Sequence, residues 1–181
     1  MPRNKAAFLD RDGVINLDRP DYTKTWDEFA FSPGAAEALL ELRKMGFILI
    51  GITNQACIGR GLATLASVED IHKKMQAELS KKGAALDAIY FCPHKPEDGC
   101  SCRKPKTGNI ELAAKKFSVD FARSFMAGDA ARDIAAGAAM GMKTVFIASS
   151  GRALPPDAKA KPDVVISGIS ELPAAVQKLG L

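Results

Sequence analysis

Short apolar runs alternate along this chain with longer stretches whose apolar residues recur every three or four positions. The runs have the length of strands and the stretches the period of helices. Residues 6–9 predict a first strand. Ser32-Pro33-Gly34 predicts a helix start, with Ser32 as N-cap and Pro33 at the first helical position. Leu39, Leu42 and Met45 supply that helix's apolar stripe, and Gly46 is its stop signal. Residues 47–52 predict a second strand, apolar almost throughout, as expected for a strand covered on both faces. Ser67-x-x-Asp70 resembles a capping box ahead of Val68, Ile71, Met75 and Leu79, and Gly83 closes the helix. A third strand falls at 88–91. Periodicity then stops through a Pro/Gly/Cys loop from Cys92 to Gly108. Beyond it the pattern predicts a helix over 110–117, a strand over 124–127, a helix over 130–140 and a strand over 143–147. A sixth strand at 163–166 and a helix over 171–178 complete the chain.

Such alternation predicts an α/β fold, a Rossmann-like three-layer sandwich with a mostly parallel sheet and helices on both faces. There are no internal repeats or low-complexity tracts, and the Pro-rich stretch 154–162 reads as a surface loop. At 181 residues, one well-buried core is expected, so the chain reads as a single domain over 1–181.

Composition adds exclusions. Hydrophobic residues make up 47% and charged residues 25%, ordinary for a soluble domain. The longest apolar runs, 47–50 and 145–148, are strand-sized, which speaks against a membrane span. The charged N-terminus leads into a strand and not into a signal-peptide core, so a cytoplasmic protein is expected. The net charge of +4 is scattered, with no Lys/Arg block and no interleaved aromatics. It predicts small phosphorylated molecules as partners, not nucleic acid.

In an open parallel sheet, ligands bind beyond the carboxyl ends of the strands. The first predicted strand ends in Asp10-Arg11-Asp12-Gly13 and the second in Thr53-Asn54-Gln55. The loop after the third carries Arg103-Lys104-Pro105, and the fourth ends in Gly128-Asp129 with Asp133 one helical turn on. Acids, a hydroxyl and a cation are thereby delivered to one rim. Phosphoryl transfer needs an in-line nucleophile, a metal to neutralise phosphate oxygens, and fixed donors. Asp10 suits the nucleophile. Asp12 suits the acid that protonates the leaving oxygen and the base that then activates water. Asp10, the Asp12 backbone carbonyl and Asp129 offer the oxygen ligands that Mg²⁺ prefers. Thr53 and Lys104 would donate to the phosphoryl group, and Gly13 would let the backbone approach it.

Asp10-x-Asp12-Gly13, Thr53-Asn54, Lys104 and Gly128-Asp129-x-x-x-Asp133 resemble the four motifs of the haloacid dehalogenase superfamily, in the right order and across most of the chain. The stretch from Phe8 to Asn16, with Thr53-Asn54-Gln55 and Cys102-Arg103-Lys104-Pro105, resembles the branch holding D-glycero-D-manno-heptose-1,7-bisphosphate phosphatases and histidinol-phosphate phosphatases. The resemblance implies a capless phosphatase, with Asp10 as nucleophile, Asp12 as acid/base, Thr53 and Lys104 as phosphoryl stabilisers and Asp129 as a Mg²⁺ ligand. It implies Arg103 in substrate recognition. Asp18, Asn54 and Gln55 are further candidate substrate contacts, and Asp133 a supporting residue.

Four cysteines are present, and three of them cluster with a histidine. Cys92-x-His94-x5-Cys100-x-Cys102 offers three thiolates and an imidazole, the ligand set of a closed structural Zn²⁺ site. The pairs are tighter than in zinc ribbons, which predicts a local clip whose last ligand precedes Arg103 and Lys104. Cys57, in the loop after Thr53, and His72 are read as structural.

Asn16, Asp18 and the segment Gln55 to Gly61 favour a heptose bisphosphate, whose 7-phosphate the resemblance marks for removal on the way to lipopolysaccharide core precursors. The short Cys92–Cys102 loop favours histidinol phosphate, the alternative. Ala130 departs from the Lys frequent in the heptose enzymes, and Arg132 is the residue that could reach the same region. The chain is expected to act as a monomer. A receiver domain would have no use for Asp12 as acid/base or for a zinc loop. A zinc nucleic-acid module would need a basic helix beside the cluster.

Overall fold

The computed structural model describes residues 3–149 and 153–181. Six strands, β1 (Ala6–Leu9), β2 (Ile48–Asn54), β3 (Ala88–Cys92), β4 (Phe125–Gly128), β5 (Lys143–Ile147) and β6 (Val164–Ile166), form one sheet in the order β3-β2-β1-β4-β5-β6. Every adjacent pair is parallel, so the sheet is wholly and not merely mostly so. The helices are α1 (Ala35–Lys44), α2 (Ala56–Gly59), α3 (Leu65–Lys81), α4 (Gly108–Phe117), α5 (Ala131–Ala139) and α6 (Leu172–Lys178).

Alternation along β1 divides the core. Ala7 and Leu9 join a cluster with Leu39 and Leu42 of α1, Met75 and Leu79 of α3, and Leu172 and Val176 of α6. Ala6 and Phe8 face the other way, onto Ile110 and Ala113 of α4 and Ala136 of α5. Both faces of the central strands are therefore dry, which is why their sequences are apolar without interruption. Helix α5 lies especially close to the sheet: a Cβ at Gly137 would stand 2.6 Å from Cβ of Met126, so that position admits only glycine without a shift.

The chain builds β1, β2 and β3 outward on one side, then returns to place β4 against the free edge of β1. Strand order reverses between β1 and β4, where the ends of neighbouring strands diverge into a crevice. Leu9 is in register with Ala127, and the amide of Asp10 donates to the Ala127 carbonyl at 3.0 Å. Asp10 and Asp129 thus leave the sheet side by side.

Two helix starts differ from the sequence reading. Ser32 does not cap α1: the helix begins at Ala35 behind Gly34, whose φ of 75° no L side chain adopts readily, and Ser32 contributes only its carbonyl to Ala35 N. Helix α3 starts earlier than Ser67 suggested. Thr64 is the N-cap, its hydroxyl accepting from Ser67 N while Ser67 Oγ accepts from Thr64 N, a reciprocal box in which serine takes the usual Glu/Gln place. Cys57 lies on the short helix α2 and not in a loop. Among the described residues, no helix is long and apolar enough to cross a membrane.

Candidate active site

At the mouth of the crevice, a cleft of about 240 Å³ is lined by Asp10, Asp12, Asp18, Arg19, Pro20, Tyr22, Thr53, Asn54 and Arg132. Asp10 is buried, its Oδ1 accepting from Arg11 N at 2.7 Å and facing Lys104 Nζ at 3.0 Å. Lys104 comes from the loop after β3. Its ammonium also reaches Asp133 at 2.7 Å and donates to the Ile52 carbonyl at 2.6 Å. Asn54 fixes the backbone of Lys104 from both sides, accepting from its N–H at 3.0 Å and donating to its carbonyl at 3.1 Å. Asp133, in the first turn of α5, accepts from Ala130 N at 3.1 Å.

Carboxylate oxygens of Asp10, Asp129 and Asp133, all buried, lie within 4.8 Å of one another. Burial pushes the carboxyl of Asp10 up to about 6, with Lys104 pulling down and Asp133 pushing up. Three buried acids gather there, with the charges of Lys104 and Arg132 close by. Oxygen donors at this spacing are what an octahedral Mg²⁺ shell takes, so the residues fit that ion. A Cβ at Gly13, where φ is 79°, would overlap the Asp129 carboxylate; glycine there gives that acid its place. The Asp12 carboxylate stands outside this acid cluster.

The side chain of Asp12 is gripped from three directions. Arg11 Nη2 donates to both oxygens at 2.9 Å, Asn16 Nδ2 to Oδ1 at 2.9 Å and Gln55 Nε2 to Oδ2 at 2.8 Å. Burial works to raise its carboxyl, but the charge of Arg11 and these hydrogen bonds outweigh that and hold it below the ordinary range. Gln55 Nε2 also donates to Thr53 Oγ1 at 2.9 Å.

On the other side of Lys104, Cys92 Sγ lies 3.5 Å from Cys100 Sγ and 3.6 Å from His94 Nδ1. Cys102 Sγ lies 3.3 Å from His94 Nδ1 and 3.5 Å from Cys100 Sγ. A tetrahedron with Zn–S bonds of about 2.3 Å has edges of about 3.8 Å, so four donors at these separations could hold a zinc ion. Burial and the neighbouring Cys102 push the Cys92 thiol up to about 12. Burial opposes ionisation of Cys100 too, yet the Cys92 and Cys102 thiols bring it down to about 7.

The structure brings Asp10, Asp12, Thr53, Lys104 and Asp129 together around the cleft, gathers Cys92, His94, Cys100 and Cys102 beside it, and places Asp133 in the acid cluster itself. The substrate candidates divide. Asp18 and Asn54 line the cleft, although Asn54 is committed to Lys104. Gln55 is buried and engaged with Asp12 and Thr53, so its amide supports those residues and does not open onto the cleft. Arg103 donates to the His94 carbonyl at 3.2 Å and lines an adjoining hollow with Pro96, Gly99, Cys100 and Lys106. Arg132 does enter the cleft, as do Arg19 and Tyr22, which carried no motif signal. The backbone of Tyr22 has a φ of 66°, a left-handed bend that only the folded loop reveals.

A parallel sheet with an acid-bearing switch point and a Lys-bridged acid cluster beyond it is the arrangement of a haloacid-dehalogenase-like hydrolase of the phosphatase class. A HAD-hydrolase-like family model matches residues 101–172. A D-glycero-beta-D-manno-heptose-1,7-bisphosphate 7-phosphatase of Escherichia coli is 38% identical over 180 residues, 96% of this chain and 94% of its own. A relative of the same name in Pasteurella multocida is 36% identical over 181 residues, 97% of this chain and 98% of its own. Among solved structures, the D,D-heptose 1,7-bisphosphate phosphatase of B. bronchiseptica, complexed with magnesium and phosphate, superimposes with a TM-score of 0.85 at 32% identity, covering 97% and 99% of the two chains. The chain belongs to this haloacid-dehalogenase-like family of heptose-bisphosphate phosphatases.

Proposed function

We propose that this chain is a Mg²⁺-dependent phosphatase that removes the 7-phosphate of D-glycero-D-manno-heptose 1,7-bisphosphate through an aspartyl-phosphate on Asp10. The buried acid cluster joined to Lys104 carries the chemical part of this reading. The relatives' named substrate, matched over nearly the full length of both chains, carries the substrate. A bound Mg²⁺, held by Asp10, the Asp12 carbonyl and Asp129, would neutralise phosphate oxygens and keep Asp10 ionised.

The chain's own residues account for the rest. A carboxylate oxygen of Asp10 attacks phosphorus as the bond to the sugar oxygen breaks, and Asp12 gives that oxygen its proton. Water then attacks the phosphorus of the aspartyl-phosphate, Asp12 takes a proton from it, and the bond to Asp10 breaks to free inorganic phosphate and the carboxylate. Lys104 and the Thr53 hydroxyl donate to the phosphoryl oxygens as charge moves. The Arg11 grip keeps Asp12 ionised, as the second step requires. An incoming phosphate dianion raises its proton affinity for the first. Arg19 and Arg132 stand at the cleft mouth, where the second phosphate of a bisphosphate needs cations. The zinc clip holds the loop that delivers Lys104.

Purified protein with Mg²⁺, offered heptose 1,7-bisphosphate and histidinol phosphate in parallel, tests the substrate. Preference for the heptose with release of one phosphate is expected; preference for histidinol phosphate would overturn the choice.

A further inference from the structure

Behind Asp12 lies a polar group that the reaction as described does not use. Arg11 is buried with 1% of its surface exposed and His72, on α3, with 7%. Arg11 Nη2 serves both oxygens of Asp12 and also donates to Gln55 Oε1 at 3.1 Å. Its other terminal nitrogen, Nη1, lies 3.1 Å from His72 Nε2. A guanidinium can only donate, so Nε2 must be the ring's lone-pair nitrogen, and the proton of a neutral His72 sits on Nδ1. The ring is held edge-on to Phe91 of β3, centroids 5.3 Å apart.

We propose that His72 is a positioning residue for proton transfer: by accepting from Arg11 it fixes the guanidinium that aims the Asp12 carboxylate and, through Gln55, the Thr53 hydroxyl. This rests on the reading of Asp12 as the acid and base of the reaction. A histidine that merely filled the core would need no cation against it, and this buried arginine, whose Nε already has no hydrogen-bond partner, can ill spare a second donor. Remove the acceptor and Nη1 is left unpaired in an apolar setting. The guanidinium then gains a reason to rotate, and both Asp12 oxygens and Gln55 Oε1 hang on the same nitrogen of that group. A helix outside all four motifs thereby sets the direction of a catalytic proton.

The test compares His72→Phe, which keeps a ring against Phe91 without an acceptor, with His72→Gln, which retains one. Rates with Mg²⁺ are measured on p-nitrophenyl phosphate, whose leaving group needs little protonation, and on phenyl phosphate, whose leaving group needs more. For His72→Phe, kcat/KM should fall about tenfold or more on phenyl phosphate, within the ~10²–10⁴ that a placed general acid contributes, and clearly less on p-nitrophenyl phosphate. His72→Gln should stay within about threefold of wild type on both, because a retained acceptor preserves the hydrogen bond. In an Asp12→Asn background, His72→Phe should leave the ratio between the two substrates unchanged. Equal losses on both esters, an undiminished His72→Phe, a His72→Gln as impaired as His72→Phe, or a further change of ratio without Asp12 would each overturn the proposal. If His72→Phe does not fold, by circular dichroism, His72→Asn, too short to reach Arg11, takes its place. Neither ester is a sugar phosphate, so wild type that cleaves them but spares the heptose bisphosphate would sink the substrate reading and leave this one open to the same result.

Discussion

The ammonium of Lys104 lies 2.7 Å from a carboxylate oxygen of Asp133, and neither side chain has any exposed surface. Asp133 is therefore the fixed anchor of the cation whose other face meets Asp10. Replacing it by alanine leaves a buried ammonium with one acid fewer and frees Ala130 N as well. Asp133→Ala should cost about 3 kcal/mol of stability, the low end for breaking a buried pair since Asp10 and Ile52 remain as partners. Denaturant unfolding of the two proteins checks it, and activity should fall alongside. A midpoint and slope equal to wild type would deny Asp133 this anchoring role.

Asp10→Asn should reduce turnover by roughly 10³-fold or more, since an amide cannot form the covalent intermediate. The circular dichroism spectrum should be unchanged, because asparagine still accepts from Arg11 N. Trapping a phosphorylated protein in this variant would place the nucleophile elsewhere.

Asp12→Asn should slow both formation and breakdown of the phosphoenzyme, by about 10²–10⁴-fold for a lost general acid and base. Rapid-quench measurement of the two phases separates them. A variant slowed in only one phase would mean that two different groups handle the two protons.

The chain is expected to carry one zinc per molecule, measurable by metal analysis of the purified protein. Cys102→Ser should lose most of it and lower activity, because Cys102 directly precedes Arg103 and Lys104. The acids on β1 and β4 should be untouched, and the global fold should persist. Full activity in a zinc-free preparation would separate the clip from Lys104.

Stability should depend on pH through His72. Burial, and then the charge of Arg11, push its imidazole down to about 3, against a weak upward pull from Asp12. A folded value below the unfolded one of about 6.5 means that the unfolded chain binds the extra proton in between. The contribution is complete above about pH 6.5 and shrinks as pH falls toward 3, by about 2 kcal/mol between pH 6.5 and 5. Unfolding midpoints of wild type and His72→Gln across that interval check the sign. The wild-type curve should fall more steeply on acidification, and parallel curves would refute the assignment.

Much of this was legible from residue order. Strands β1 and β5 matched the sequence reading end to end: β1 is an apolar run between Lys5 and Asp10, and β5 rises from Lys143 into Val145, Phe146 and Ile147. Asp10, Thr53, Lys104 and Asp129 could be singled out because each lies at or beyond the carboxyl end of a strand, and parallel strands share one carboxyl rim. Partnerships across the fold were hidden. Gln55 looked like a substrate contact, since an amide at a strand end reads the same whether it points to the cleft or to Asp12. His72 looked like core, because one histidine on an amphipathic helix gives no hint of a buried guanidinium from β1. Ser32 and Ser67 misled for a local reason: α1 starts behind the left-handed turn at Gly34 and not at a hydroxyl, and Thr64, three residues before Ser67, takes the capping place of α3.

The reversal of strand order between β1 and β4 has a further consequence. The Asp10 carboxylate is anchored by backbone pairing to the middle of the sheet, whereas Asp18, Arg19 and Tyr22 hang on an excursion between β1 and α1. Lengthening or rewriting that stretch leaves the anchored centre untouched. Such an architecture can acquire a new diet by changing its loops while its bite stays the same.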